Sequence, residues 1–188
     1  MSATGRGRER NPRDFYRTPA WCVEVLLEHE QLLPRVFDPS CGDGAILEVL
    51  QEAGHKVQGL DIDAASAMRA SDALGAPVWV GDYLSPGRTN PPFCDVVMNP
   101  PYRQAAEFIR KALERSGPRE KVCALLRLNF LGSSRKRLDL VGAGSELRRV
   151  IVLSRRPSFT GDGRSDACEY SWFVFVRGYN GPAEVLVV

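Results

Sequence analysis

The chain has 188 residues, enough for one domain with a sizeable core, and its 44% hydrophobic content argues against a disordered protein. Its formal charge of +2 hides a polarity: residues 1–100 carry nine bases and 14 acids, residues 101–188 carry 16 bases and nine acids, and 21 of the 25 bases are arginine. No apolar run reaches membrane-spanning length and no secretory leader is visible. Five scattered cysteines with two histidines suit neither a disulfide framework nor a zinc site, so a soluble, cytoplasmic protein without a metal or a membrane partner is expected.

Residues 1–13, rich in Gly and Arg, read as a mobile tail, and residues 14–188 as a single domain. A helix is predicted from near Pro19 through Glu30, with Val23, Leu26 and Leu27 on one face. RVFDPS (35–40) reads as a strand and turn, GAILEVLQEAG (44–54) as a helix, and KVQGLDI (56–62) as the next strand. ASAMRASDAL (65–74) returns to helix, and APVWVGDYL (76–84) is a third strand with its exit loop. FCDVVMNPPY (93–102) repeats the strand-to-loop pattern before the helix QAAEFIRKALERSG (104–117). KVCALLRLNFL (121–131) reads as a strand, RKRLDLVGAG (135–144) as a short helix and RRVIVLS (148–154) as a strand. YSWFVFVRG (170–178) alternates with period two, and Leu186 to Val188 add a little more sheet. Short apolar strands alternating with helices predict an α/β fold, a mostly parallel sheet with helices on both faces.

In such a sheet ligands gather beyond the C-terminal strand ends, and four polar groups fall there: DPSCGDG (38–44), LDID (60–63), GDY (81–83) and NPPY (99–102). Gly42 and Gly44 allow a tight turn and a close backbone approach, without the glycine spacing of a dinucleotide fingerprint or a P-loop. A turn opened by Asp38 suits a cationic or donor-rich ligand. Asp61 can accept from the two hydroxyls of a ribose, whereas Asp63 reads as a helix cap. Asp82 can accept from a purine amine, with Tyr83 or Ile62 offering an apolar face. At 99–102 the Asn99 side chain and the Pro100 carbonyl can each accept one N–H of a substrate amine, and Tyr102 offers a ring for stacking. Two acceptors out of the amine's plane would free its lone pair for attack.

These residues resemble S-adenosylmethionine-dependent methyltransferases acting on the exocyclic amine of adenine in DNA, in the gamma order of motifs. The resemblance implies a Rossmann-like class I methyltransferase fold, with seven mostly parallel strands and an antiparallel strand near the C-terminus. It implies S-adenosyl-L-methionine as cofactor and S-adenosyl-L-homocysteine as product. It assigns Asp38, Pro39, Cys41, Gly42 and Gly44 of DPSCGDG to the methionine end, Asp61 to the ribose, and Asp82 and Tyr83 to the adenine, beside the apolar face that Ile62 offers. The catalytic loop is then Asn99, Pro100, Pro101 and Tyr102. FYRTPAW (15–21) resembles the N-terminal cofactor segment, with Tyr16, Thr18 and Pro19 as candidates, Thr18 also reading as a helix cap. Phe159 in RPSFTGDG (156–163) would pack on a flipped base opposite Tyr102, and this tail resembles small phage-encoded adenine methyltransferases. Such enzymes serve restriction-modification, phage protection or regulation.

The chain departs from larger members in showing no separate target-recognition domain. Arg135, Lys136, Arg137 and Arg164 are candidate phosphate contacts, and a homodimer or a specificity partner could supply base readout. DNA is the expected partner. An RNA base amine, a protein glutamine amide, N4 of cytosine, and a non-catalytic nucleic-acid-binding module on the same fold remain alternatives. Cytosine C5 chemistry is disfavoured because no suitable strand-exit loop offers a nucleophilic cysteine except Cys41, which belongs to the cofactor turn.

Overall fold

The computed structural model describes residues 17–88, 90–132, 134–159 and 168–188. Helix α1 (Ala20–His29) starts directly after Pro19 and buries Cys22, Val23 and Leu26. Then follow β1 (Arg35–Asp38), α2 (Ala45–Glu52), β2 (Lys56–Asp61), α3 (Ala64–Leu74), β3 (Val78–Val80), β4 (Asp95–Met98) and α4 (Ala105–Arg115). Strand β5 (Lys121–Arg127) leads through two 3-10 turns into the short α5 (Leu138–Val141), and β6 (Leu147–Val152), β7 (Tyr170–Val176) and β8 (Glu184–Val187) complete the chain.

The sheet runs β3-β2-β1-β4-β5-β7-β6-β8. Strand β7 is antiparallel to β5 and β6, and every other pairing is parallel. The expected Rossmann-like α/β architecture is therefore present, with helices on both faces. Period-two alternation divides the core. Val97, Cys123, Leu125, Trp172 and Val174 face α1, α2 and α3, while Val96, Met98, Val122, Ala124, Phe173 and Phe175 face α4. The Trp172 indole also donates to the Cys22 carbonyl at 2.6 Å, tying α1 to the sheet.

The described residues depart from the sequence expectation in three places. The sheet has eight strands rather than seven, because the last residues form β8, pairing with β6 from Arg149↔Glu184 to Val152↔Val187. Strand β5 stops at Arg127, where its pairing with Tyr170 at the start of β7 ends, so Leu128–Leu131 turns as 3-10 helix rather than continuing the strand. The helix expected over 135–144 is a 3-10 turn, Arg135–Arg137, and the four residues of α5.

One ionic cluster fastens α1 at the opposite edge of the sheet from the strand exits. Glu30, 4% exposed, accepts from Lys121 at 2.9 Å, from Arg149 at 2.8 Å and from Arg148. Three cations compensate the cost of burying this carboxylate. Asp95, also buried, accepts from the backbone of Leu33 and of Lys121, both at 2.7 Å, and so joins the starts of β4 and β5 to the loop before β1.

Candidate functional site

The strand order brings the C-terminal ends of β3, β2, β1 and β4 side by side along one edge, about 4.8 Å apart. Between them lies a cleft of about 650 Å³, within the range of small-molecule sites. Of the sequence candidates, Thr18, Asp38, Pro39, Cys41, Gly42, Asp61, Ile62, Asp82, Tyr83, Asn99 and Pro101 line it. Thr18 and Asn99, 81 positions apart, thus share one cavity.

The turn after β1 is shaped by close packing. Gly44 takes a left-handed φ of 92° at the start of α2, and a Cβ there would stand 3.2 Å from that of Ala70 on α3. On β2, a Cβ at Gly59 would meet the Cys41 sulfur at 2.8 Å and Leu47 at 2.9 Å, so the turn lies directly on the strand. Gly42 N–H donates to one oxygen of Asp61 and Asp63 N–H to the other, each at 2.8 Å. A carboxylate has about four lone-pair sites, so Asp61 keeps acceptors for a ligand after ordering both loops. Asp63 caps α3 through the Ser66 backbone N–H at 3.1 Å and the Ser66 hydroxyl at 2.9 Å, as expected.

Asp38 is buried beneath this turn and accepts from the Ser40 backbone at 2.9 Å. Burial, reinforced by the charge of Asp61 and opposed by Ser40, pushes its carboxyl up to about 8. The Cys41 thiol is likewise raised by burial, which keeps it a small apolar filler rather than a nucleophile.

The β3 exit divides the two residues paired there. Asp82 accepts from Leu84 N–H at 2.9 Å and from the Ser85 hydroxyl at 3.2 Å, shaping the loop. Tyr83 is 1% exposed, its ring packed against Phe37 and Phe108 and its hydroxyl donating to Asn90 at 2.5 Å. Ile62, 73% exposed, is an apolar side chain of the cleft lining that is open to a ligand.

At the β4 exit, Asn99 Nδ2 donates to the Thr18 hydroxyl at 3.1 Å, and Thr18 is buried. That bond turns the amide oxygen away from Thr18. The Pro101 carbonyl accepts from Gln104 N–H at 2.9 Å and opens α4, while Pro100 is buried and, like Pro19 and Gly44, is not among the residues that line the cleft. Tyr102 lies beside the cleft rather than in its lining, its ring 6.1 Å from that of Tyr170. Phe159 packs edge-on against the same Tyr170 at 4.9 Å, so the two expected base-stacking rings are linked through a third. Tyr16 and Arg164 lie outside the described residues.

Arg135 and Lys136 are exposed, but Arg137 is taken up locally. Its guanidinium sits 4.6 Å from the centre of the Phe130 ring and donates to the carbonyls of Asn129 and Gly132. The sequence reading also missed Arg17, which lines the cleft and pairs with Asp43 at 2.5 Å and Glu48 at 2.6 Å. Its place one residue before Thr18 is the signal that could have found it. Gln104, at the start of α4, is a second missed lining residue. Among the described residues no cluster of three or more His, Cys, Asp or Glu side chains is placed to hold a metal, and no helix is long and apolar enough to cross a membrane.

No protein-family model matches the chain, and no curated protein matches it. Solved structures do. A protein assigned as a class I S-adenosylmethionine-dependent methyltransferase from Listeria monocytogenes superposes with TM-score 0.66 at 16% identity, over 97% of this chain and 67% of that one. An assigned RNA methyltransferase from Pyrococcus horikoshii gives 0.63 at 19% identity, over 90% of each chain. The M protein of the type I restriction enzyme EcoKI gives 0.63 at 16% identity, over 85% of this chain and 42% of its own length. The likeness is one of fold: this chain has the Rossmann-like architecture of class I methyltransferases.

Proposed function

We propose that the chain transfers a methyl group from S-adenosylmethionine to the exocyclic N6 amine of adenine in DNA. The observation that carries this reading is the Thr18–Asn99 hydrogen bond, which fixes the Asn99 amide at the cleft that Asp38, Gly42 and Asp61 also line. The residues fit the cofactor: a glycine turn pressed against β2 admits its methionine end, Asp61 has acceptors left for ribose hydroxyls, and Ile62 offers an apolar face to its purine. When bound, the cofactor supplies a sulfonium methyl, whose carbon–sulfur bond breaks with its electron pair left on sulfur as the nitrogen–carbon bond forms.

The protein's own part is positioning. Asn99 Oδ1 and the Pro100 carbonyl accept the two N–H groups of the substrate amine and favour the positive charge developing on nitrogen, which afterwards loses a proton to water. Tyr102 stacks on the base once it has left the duplex. A base-flipped substrate suits the basic second half of the chain, and the EcoKI M protein belongs to a restriction enzyme. A second reading, an RNA base amine, draws support from the Pyrococcus structure, which the chain matches over 90% in both directions.

Purified protein incubated with methyl-labelled S-adenosylmethionine and, separately, DNA, RNA or protein tests the choice. Label recovered as N6-methyladenine from digested DNA is the expected result. Label confined to RNA or protein overturns the substrate assignment.

A further inference from the structure

Arg127 ends β5, next to the strand that carries the 99–102 loop. Its guanidinium carbon lies 5.2 Å from the centre of the Tyr102 ring, and its Nε donates to the Tyr170 hydroxyl at 3.3 Å. Tyr170 is 1% exposed and leans on both Tyr102 and Phe159, so the tyrosine beneath the cation is backed by core packing. The ring that would stack a substrate base therefore already carries a planar cation. A base and a guanidinium use a ring in the same way, each laying a flat surface on the π face.

An arginine can exchange such a ring for another partner of its charge. A neutral planar molecule brings none, whereas a nucleic-acid strand brings phosphates, which match the guanidinium fork. We propose that Arg127 determines substrate specificity: its guanidinium covers the Tyr102 ring and yields it to a planar base that arrives with a phosphate alongside. The inference rests on the reading of Tyr102 as the stacking ring. It selects a polynucleotide over a free nucleoside, and over a peptide amide, from a residue that never touches the transferred methyl.

The test compares adenosine with a short single-stranded oligodeoxynucleotide containing one adenine, measuring kcat/KM for methyl transfer to each. The enzymes are the unaltered protein, Arg127→Ala and Arg127→Lys. In Arg127→Ala the preference for the oligonucleotide should fall by about tenfold or more, with the nucleoside rate rising in absolute terms as the ring is uncovered. Arg127→Lys keeps the charge without the flat surface, so nucleoside transfer should rise while oligonucleotide transfer stays within about threefold. If Arg127→Ala does not fold, Arg127→Lys carries the comparison. An unchanged preference in the variants, or nucleoside and oligonucleotide rates falling together, overturns the inference while leaving the proposed reaction standing. Unaltered protein that methylates no polynucleotide overturns both.

Discussion

Beyond β1, β2 and β3 the exit side chains are acidic and tied to backbone N–H groups: Asp38 to Ser40, Asp61 to Gly42 and Asp63, Asp82 to Leu84. Beyond β4, β5 and β6 they are aromatic and basic, and rings hold them: Arg127 on Tyr102, Arg137 on Phe130, and Arg155 over Trp21 at 5.2 Å. The acidic half is preorganised, since its carboxylates are oriented by the same loops they order. The ring contacts of the basic half are worth about 0.5–2 kcal/mol each, and on the proposed function a polyanion would exchange them for phosphate pairing. On the proposed function, one half would receive the cofactor unchanged and the other would rearrange around the nucleic acid.

The sharpest way to break this comparison is at Asn99, where the two halves meet. Asn99→Ala should cut methyl transfer by about a hundredfold or more, because it removes an acceptor aimed at developing charge. Its dissociation constant for S-adenosylmethionine should stay nearly unchanged. Asp61→Asn should do the reverse, weakening cofactor binding by about tenfold as charge-assisted hydrogen bonds become neutral ones, with a smaller effect on transfer at saturating cofactor. Calorimetric binding set beside single-turnover rates reads both. Equal losses of cofactor affinity in the two variants would mean that the halves do not act separately.

How much of this was legible in the sequence depended on how local each feature is. The turn at 38–44 and the NPPY loop are spelled by adjacent residues whose backbone limits hold in any context, so their strand-exit positions could be read directly. Tyr83 lines the cleft, but its burial was not legible, because Phe37, Phe108 and Asn90, which pack its ring and bond its hydroxyl, lie elsewhere in the chain. The local contacts of Arg137 were hidden for the same reason, since Phe130 gives it a ring that spacing does not reveal. The length of β5 was misread because LLRLNFL stays apolar past the point where its partner strand begins at Tyr170. Period and propensity mark strands, but pairing ends them.

A third prediction concerns pH and belongs to the acidic half alone. The Asp38 carboxyl is raised to about 8 in the folded chain, against about 3.9 when unfolded. Between those values the folded state holds a proton that the unfolded state has released. The stability this group contributes is therefore fully present below the lower value and is lost as pH rises through the upper one. Asp38→Asn removes that dependence, so the melting temperature of the unaltered protein, relative to the variant, should fall steadily from pH 4 to pH 8. Two melting curves that shift in parallel with pH would show that Asp38 is already ionised in the fold.

The smallest expected effect tests the basic half away from the cleft. Arg135 and Lys136 are exposed, whereas Arg137 is spent on Phe130 and two carbonyls. If the first two meet DNA phosphates, replacing both with alanine should reduce the slope of log affinity against log salt by about 0.9 for each phosphate no longer neutralised. Arg137→Ala should leave that slope alone and instead lower stability by about 1 kcal/mol, the worth of a cation–π interaction that also anchors a turn. The two outcomes separate because counterions are released by charges that reach phosphate, and a guanidinium folded onto its own chain releases none. A reduced slope in Arg137→Ala with none in the double variant would reverse the assignment, moving the phosphate-binding role to the packed arginine.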